Sequence, residues 1–71
     1  MGRQPIDPLT EREEEVLLAV AQGLTNSEIG ERLYIGLSTV KTHLASLMTK
    51  LAARNRVELA MWAYGTGRVR H

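Results

Sequence analysis

The sequence predicts an all-α fold, a bundle of four helices. Three observations carry this. Apolar residues recur at helical spacing, most clearly Val40, Leu44, Leu47 and Leu51, at steps of four, three and four. Helix-start signals stand before the apolar stretches, and glycines follow them at Gly23 and Gly65. No segment shows the alternation of a half-buried strand. With 71 residues the chain is one domain at most. A domain this small buries only about 60% of its unfolded surface, so it needs efficient helix packing or a partner.

Residues 1–8 read as a linker or tail, because Pro5 and Pro8 break any helix and no periodicity is present. Residues 9–67 form the folded domain, and 68–71 a flexible tail. Thr10 and Glu13 fit a capping box that opens the first helix. Glu11, Glu13 and Glu14 suit the positive end of its dipole. Val16, Leu17, Val20 and Ala21 form its apolar stripe, and Gly23 ends it in a left-handed conformation. Asn26 is the expected N-cap of a short second helix, with Ser27 and Glu28 in the first turn and Ile29 and Leu33 inward. Gly30 is costly there, unless another backbone comes close.

Tyr34-Ile35-Gly36 reads as a tight turn, with Gly36 opening the third helix at about Leu37–Leu51. Steps of 100° place Ser38, Thr42, Ala45 and Thr49 opposite its apolar face. All four are small. Lys41 flanks that face on one side, and Ser46 and Lys50 on the other. Asn55 and Glu58 resemble a capping pair for the fourth helix. Val57, Leu59, Ala60, Met61, Trp62, Ala63 and Tyr64 make that helix apolar on more than one side. Gly65-Thr66-Gly67 stops it.

Composition excludes several function classes. The chain has no cysteine and only two histidines, one of them its last residue, so disulfides, thiolate zinc sites and other metal centres are not expected. No apolar run approaches the roughly 20 residues of a membrane span, and the N-terminus does not read as a signal peptide. A cytoplasmic protein is expected. No nucleophile, base or carboxylate pair stands at a useful spacing, so the chain reads as a non-enzyme without cofactors. The net charge of +1 hides a split. Residues 1–38 carry three basic against seven acidic side chains, and residues 39–71 carry six against one. A basic half suggests an anionic partner. A solvated charge pattern is the plain alternative.

Two short helices joined by a turn of about three residues with glycine match the helix-turn-helix pattern, whose second helix lies in the DNA major groove. The third helix suits that place. Its aliphatic side holds it to the domain, and its small side lets the axis approach the groove floor. Lys41 can reach guanine O6 and N7 or a phosphate, Thr42 can hydrogen-bond or set its methyl against thymine, and Ala45 offers apolar contact. An ordinary solvated helix face is the alternative.

At this level PLTEREEEVLLAVAQGLTNSEIGERL and STVKTHLASLMTKLAARNRVELA resemble the LuxR-type DNA-binding domain. More narrowly, they resemble the effector domain of NarL/FixJ response regulators, over roughly residues 8–67. The fragments are L-T-x-R-E, G-x-x-N-x-E-I, T-V-K-x-H, the K-L pair and N-R-V-E. The resemblance implies a third helix that reads double-stranded DNA and a fourth that mediates homodimerisation. Lys41, Thr42 and Ala45 fall on base-facing positions, with Ser38 beside them. Thr39 resembles a phosphate contact, and Lys50 matches a basic position that reaches the DNA backbone. Asn26 and Ser27 open a helix whose N–H groups favour a phosphate. His43 is either a backbone contact or a structural residue. Val57, Met61 and Trp62 are the expected dimer residues. Arg56, after the Asn cap, is expected to do structural work.

The chain departs from the resemblance at four places. Gly36 stands where Ser is common, Leu37 where a polar residue is common, Gly30 where many relatives have Ala, and Ala45 where some have a longer polar or basic residue. The resemblance further implies a regulatory domain, of receiver type, N-terminal to this unit, so a fragment of a longer bacterial regulator is expected. Region 4 of a sigma factor and an interaction module that kept the fold are the alternatives. The fourth helix argues against the first.

Overall fold

The computed structural model describes residues 9–67 and contains four α-helices: α1 Glu11–Ala21, α2 Asn26–Leu33, α3 Leu37–Lys50 and α4 Arg56–Gly65. The 1–8 and 68–71 segments lie outside the described residues. The expected all-α fold is what forms. α1 packs against α4 and α3, and α2 packs against α3.

Local chemistry explains each boundary. The Thr10 hydroxyl accepts from the Glu13 N–H at 3.1 Å, and the Glu13 carboxylate accepts from the Thr10 N–H at 2.8 Å. This reciprocal pair satisfies two orphan donors at the start of α1. Gly23 takes φ +86° just past its end, as its position predicted. At α2 the structure corrects the sequence reading. Thr25, not Asn26, is the N-cap and closes a second box with Glu28. Asn26 is the first helical residue. Thr and Asn are both good caps, and the reciprocal Glu three residues on selects Thr25.

The α2–α3 turn falls at Tyr34-Ile35-Gly36, and Gly36 opens α3 as read. Tyr34 adopts the left-handed conformation (φ 58°), while Gly36 has ordinary extended angles as the N-cap of α3. A bulky residue with positive φ is strained, and Tyr34 is 94% exposed there. Gly30 behaves as anticipated. A Cβ on it would sit 2.8 Å from the Ile35 carbonyl oxygen, so the turn folds back onto the helix where a side chain would stand.

Asn55 caps α4 through the Glu58 N–H at 3.0 Å. The return bond differs from a true box, because Glu58 accepts from the Arg54 N–H at 2.7 Å. The core is apolar and contiguous: Val16, Leu17 and Val20 from α1, Ile29 from α2, Val40, Leu44 and Leu47 from α3, Leu51, and Leu59 and Ala63 from α4. The 3.6-residue stripe read on the third helix is its buried face.

Candidate nucleic-acid interface

α3 is held by Val40, Leu44 and Leu47 and turns its opposite side to solvent. Ser38, Thr39, Lys41, Thr42, Ala45 and Thr49 are all exposed. The helical wheel thus placed the expected reading residues correctly on the outside. Their outward chemistry is now more definite. The Thr42 hydroxyl donates to the Ser38 carbonyl at 3.0 Å, and the Thr49 hydroxyl to the Ala45 carbonyl at 3.1 Å. Both hydroxyl protons are therefore occupied within the helix, leaving the methyl groups and oxygen lone pairs for a partner.

An open cleft separates the starts of α2 and α3. Thr25, Asn26, Ser27, Leu37, Lys41 and Arg56 line it. The Asn26 and Ser27 N–H groups sit in the first turn of α2, where the helix dipole is positive. The Asn26 side chain has a different task from the expected cap. Its Oδ1 accepts from the Arg56 guanidinium at 2.8 Å, and the same guanidinium donates to the Leu24 carbonyl at 2.8 Å. Arg56 thus ties α4 to the loop that presents α2, the structural work read for it. Leu37, absent from the expected readers, is 46% exposed at the mouth of this cleft. Its place in the first turn of α3 beside Lys41 was the available signal.

His43 is half-buried on the flank of α3. Lys50 departs from the expected arrangement. Its Nζ lies 2.7 Å from the Glu13 Oε1, so the ammonium is paired within the domain. Sequence reading explained Glu13 as a cap alone. It is also the one charged side chain in the core of the described residues, 4% exposed, and the Ser46 hydroxyl donates to its Oε2 at 2.6 Å. Burial alone would raise its pKa. The bonds from Lys50, Ser46 and the Thr10 N–H outweigh that and lower it to about 2.

On α4, Val57 and Met61 lie four residues apart and are 64% and 65% exposed, on the side away from the buried Leu59 and Ala63. Trp62 is half-buried against the core, so less of it is free for a partner than of the other two. Its Nε1 is buried without a hydrogen-bond partner among the described residues. Met61 and Trp62 border an open groove of about 420 Å³ formed with Leu51, Ala52, Ala53 and Gly65. Among the described residues no group of His, Cys, Asp or Glu could hold a metal ion, and no helix is long and apolar enough to cross a membrane.

Residues 7–63 match the family described as bacterial regulatory proteins, luxR family. The chain belongs to this family. It is 45% identical over 60 residues to the transcriptional regulatory protein LiaR of Bacillus subtilis, covering 84% of this chain and 28% of LiaR. It is 41% identical over 56 residues to the response regulator VraR of Staphylococcus aureus, covering 79% of this chain and 27% of VraR. Among solved structures, the response regulator ChrA of a heme-sensing two-component system superposes with a TM-score of 0.82 at 35% identity, over 93% of this chain and 33% of ChrA. SdiA in complex with octanoyl-rac-glycerol gives the same score at 33% identity, over 97% and 28%. The chain thus spans about a quarter to a third of the relatives it matches. LuxR-type helix-turn-helix domains are DNA-binding parts of transcription regulators and are not enzymes. The family assignment displaces the sigma-factor alternative.

Proposed function

We propose that this domain binds double-stranded DNA sequence-specifically, as the effector unit of a two-component response regulator, and does so as a homodimer. The observation that carries the reading is the exposed small face of α3 with Lys41 at its edge. The major groove, about 12 Å wide, admits a helix whose outward side chains are short. Lys41 then reaches guanine O6 and N7. Thr42 and Ala45 present methyl groups to thymine, and Ser38 retains a hydroxyl for a base edge. Thr39, the Asn26 and Ser27 N–H groups and His43 face the phosphates on either side. Lys50 is left out of this set because Glu13 holds it.

Dimerisation runs through α4. Val57 and Met61 form an exposed apolar pair that a second copy would cover, with the groove beside Trp62 receiving part of that copy. Each α3 would then read one half-site of a site with dyad symmetry. The signal would come from an N-terminal receiver domain, whose phosphorylation frees the effector to pair. A cytoplasmic setting follows from this reading.

Selection from a randomised duplex pool tests it. The expected product is a site with dyad symmetry, bound with an affinity that falls steeply as salt rises, because phosphate contacts release counterions. A pool from which no sequence emerges would overturn the proposal and favour an interaction module.

A further inference from the structure

We infer that Glu13 is a positioning residue for DNA reading: through Ser46 and Lys50 it sets the roll of α3 about its own axis. That roll decides which base edges Lys41, Thr42 and Ala45 meet. The inference rests on the DNA-reading role proposed above.

The buried side of α3 is aliphatic at Val40, Leu44 and Leu47. Apolar packing sets which side of α3 faces the core, but the driving force is non-directional and leaves small rolls less tightly fixed than directional bonds do. Rotation matters greatly at the groove. Side-chain tips lie about 5–6 Å from a helix axis, so a roll of about 10° moves them by about 1 Å. Hydrogen bonds to bases keep their strength over a window of only about 0.5 Å. A directional tether is therefore needed, and among the described residues Glu13 supplies it. Its Oε1 takes the Thr10 N–H at 2.8 Å and Lys50 at 2.7 Å, while its Oε2 takes the Ser46 hydroxyl at 2.6 Å. The capping box anchors the carboxylate to the start of α1. Ser46 and Lys50, four apart, lie on the flank of α3 between the reading face and the core. Ser46 is only about 40° around the helix from Thr42.

A buried ion pair adds little net stability compared with apolar packing, and its best-attested use is to specify one arrangement. The same contact draws Lys50, on the basic half of the chain, towards the domain and away from a phosphate role. Its ammonium already serves a carboxylate that would otherwise be buried uncompensated.

The test compares Lys50→Met and Ser46→Ala with the parent chain on the selected duplex and on an unrelated one, at several salt concentrations. Both variants should keep their helical circular dichroism. Discrimination between the duplexes should fall roughly tenfold, the size that coupling between contacting residues takes. The slope of log affinity against log salt should stay unchanged. If Lys50→Met unfolds, Ser46→Ala carries the test, since it removes one uncharged bond. A slope lower by about 0.9 in Lys50→Met, with equal loss on both duplexes, would make Lys50 a phosphate contact and overturn the inference. Unchanged discrimination in the folded variants would reduce the network to structural support and also overturn it. A parent chain that discriminates no duplex removes the DNA-reading role itself, and the inference with it.

Discussion

α3 buries Val40, Leu44 and Leu47 and α4 buries Leu59 and Ala63, and the two helices differ most in what they leave outside. α3 exposes Ser38, Thr42, Ala45 and Thr49, all short, with Lys41 at the edge. α4 exposes Val57 and Met61, both bulky and apolar. They also differ in fastening. α3 is gripped at its C-terminal half by the buried Glu13, and α4 at its first residue by Arg56 on the Leu24 carbonyl and Asn26. In the proposed function, one helix approaches a rigid polar groove closely and the other is covered by a protein surface. In a domain of this size, surface chemistry separates the two tasks where fold cannot.

The contrast can be broken at α4 first, where the largest effect is expected. Met61→Glu would place an unpaired charge in the proposed dimer contact, at a cost of about 3–5 kcal/mol. Binding to a duplex with two half-sites should drop to that of one, while affinity for a single half-site is unchanged. Gel-shift titrations on the two duplexes read this directly. Equal losses on both would move α4 from pairing to folding or to DNA contact.

The fastening of α3 has its own signature in acid. Glu13 has a folded-state pKa of about 2 against an ordinary 4.5. Because the folded value is depressed, the associated stability is complete above about pH 5 and is lost as pH falls towards 2. It amounts to at most about 3 kcal/mol. Glu28 and Glu58 are lowered too, by the Thr25 and Arg54 N–H groups respectively, and weaken in the same direction. Urea melts from pH 7 to pH 2.5 should show the decline, and Glu13→Gln should flatten most of it. A decline as steep in that variant would assign the acid sensitivity elsewhere.

Smaller effects sharpen the reading face. Lys41→Ala should cost about 1–3 kcal/mol of specific binding and leave thermal stability unchanged. Thr25→Ala should cost about 1 kcal/mol of stability, since it removes the α2 cap. Replacing thymine by deoxyuridine in the half-site should cost under about 1 kcal/mol per methyl removed. The last change tests whether Thr42 and Ala45 act through methyl contact. A loss with Thr42→Ser and none with Thr42→Val would support it.

Much of this division was legible in the sequence, and the reasons are specific. Helical periodicity sorts inward from outward residues, so the α3 stripe and its small opposite face could be read from spacing alone. Local boxes such as Thr10 with Glu13 involve near neighbours and are equally visible. Thr25 and Asn26 are neighbouring residues that can both cap, and the reciprocal bond with Glu28 selects Thr25 over the expected Asn26. The turn at Tyr34-Ile35-Gly36 was legible, but the left-handed conformation of Tyr34 had no signal in a residue type that rarely adopts it. Long-range pairings left no local trace. Nothing near Glu13 announces Ser46 or Lys50, more than thirty residues away, and the capping box was a sufficient explanation for that glutamate. Asn26 and Arg56 meet across a similar distance. The charge split pointed to a basic half, but not to the withdrawal of Lys50 from it.

The central claim is that α3 reads sequence and α4 sets pairing. Repeating the duplex selection with Ala45→Lys tests it most directly. The predicted result is a consensus altered at one position in each half-site, with the spacing between half-sites unchanged. An unaltered consensus, or altered spacing with the same bases, would contradict the account.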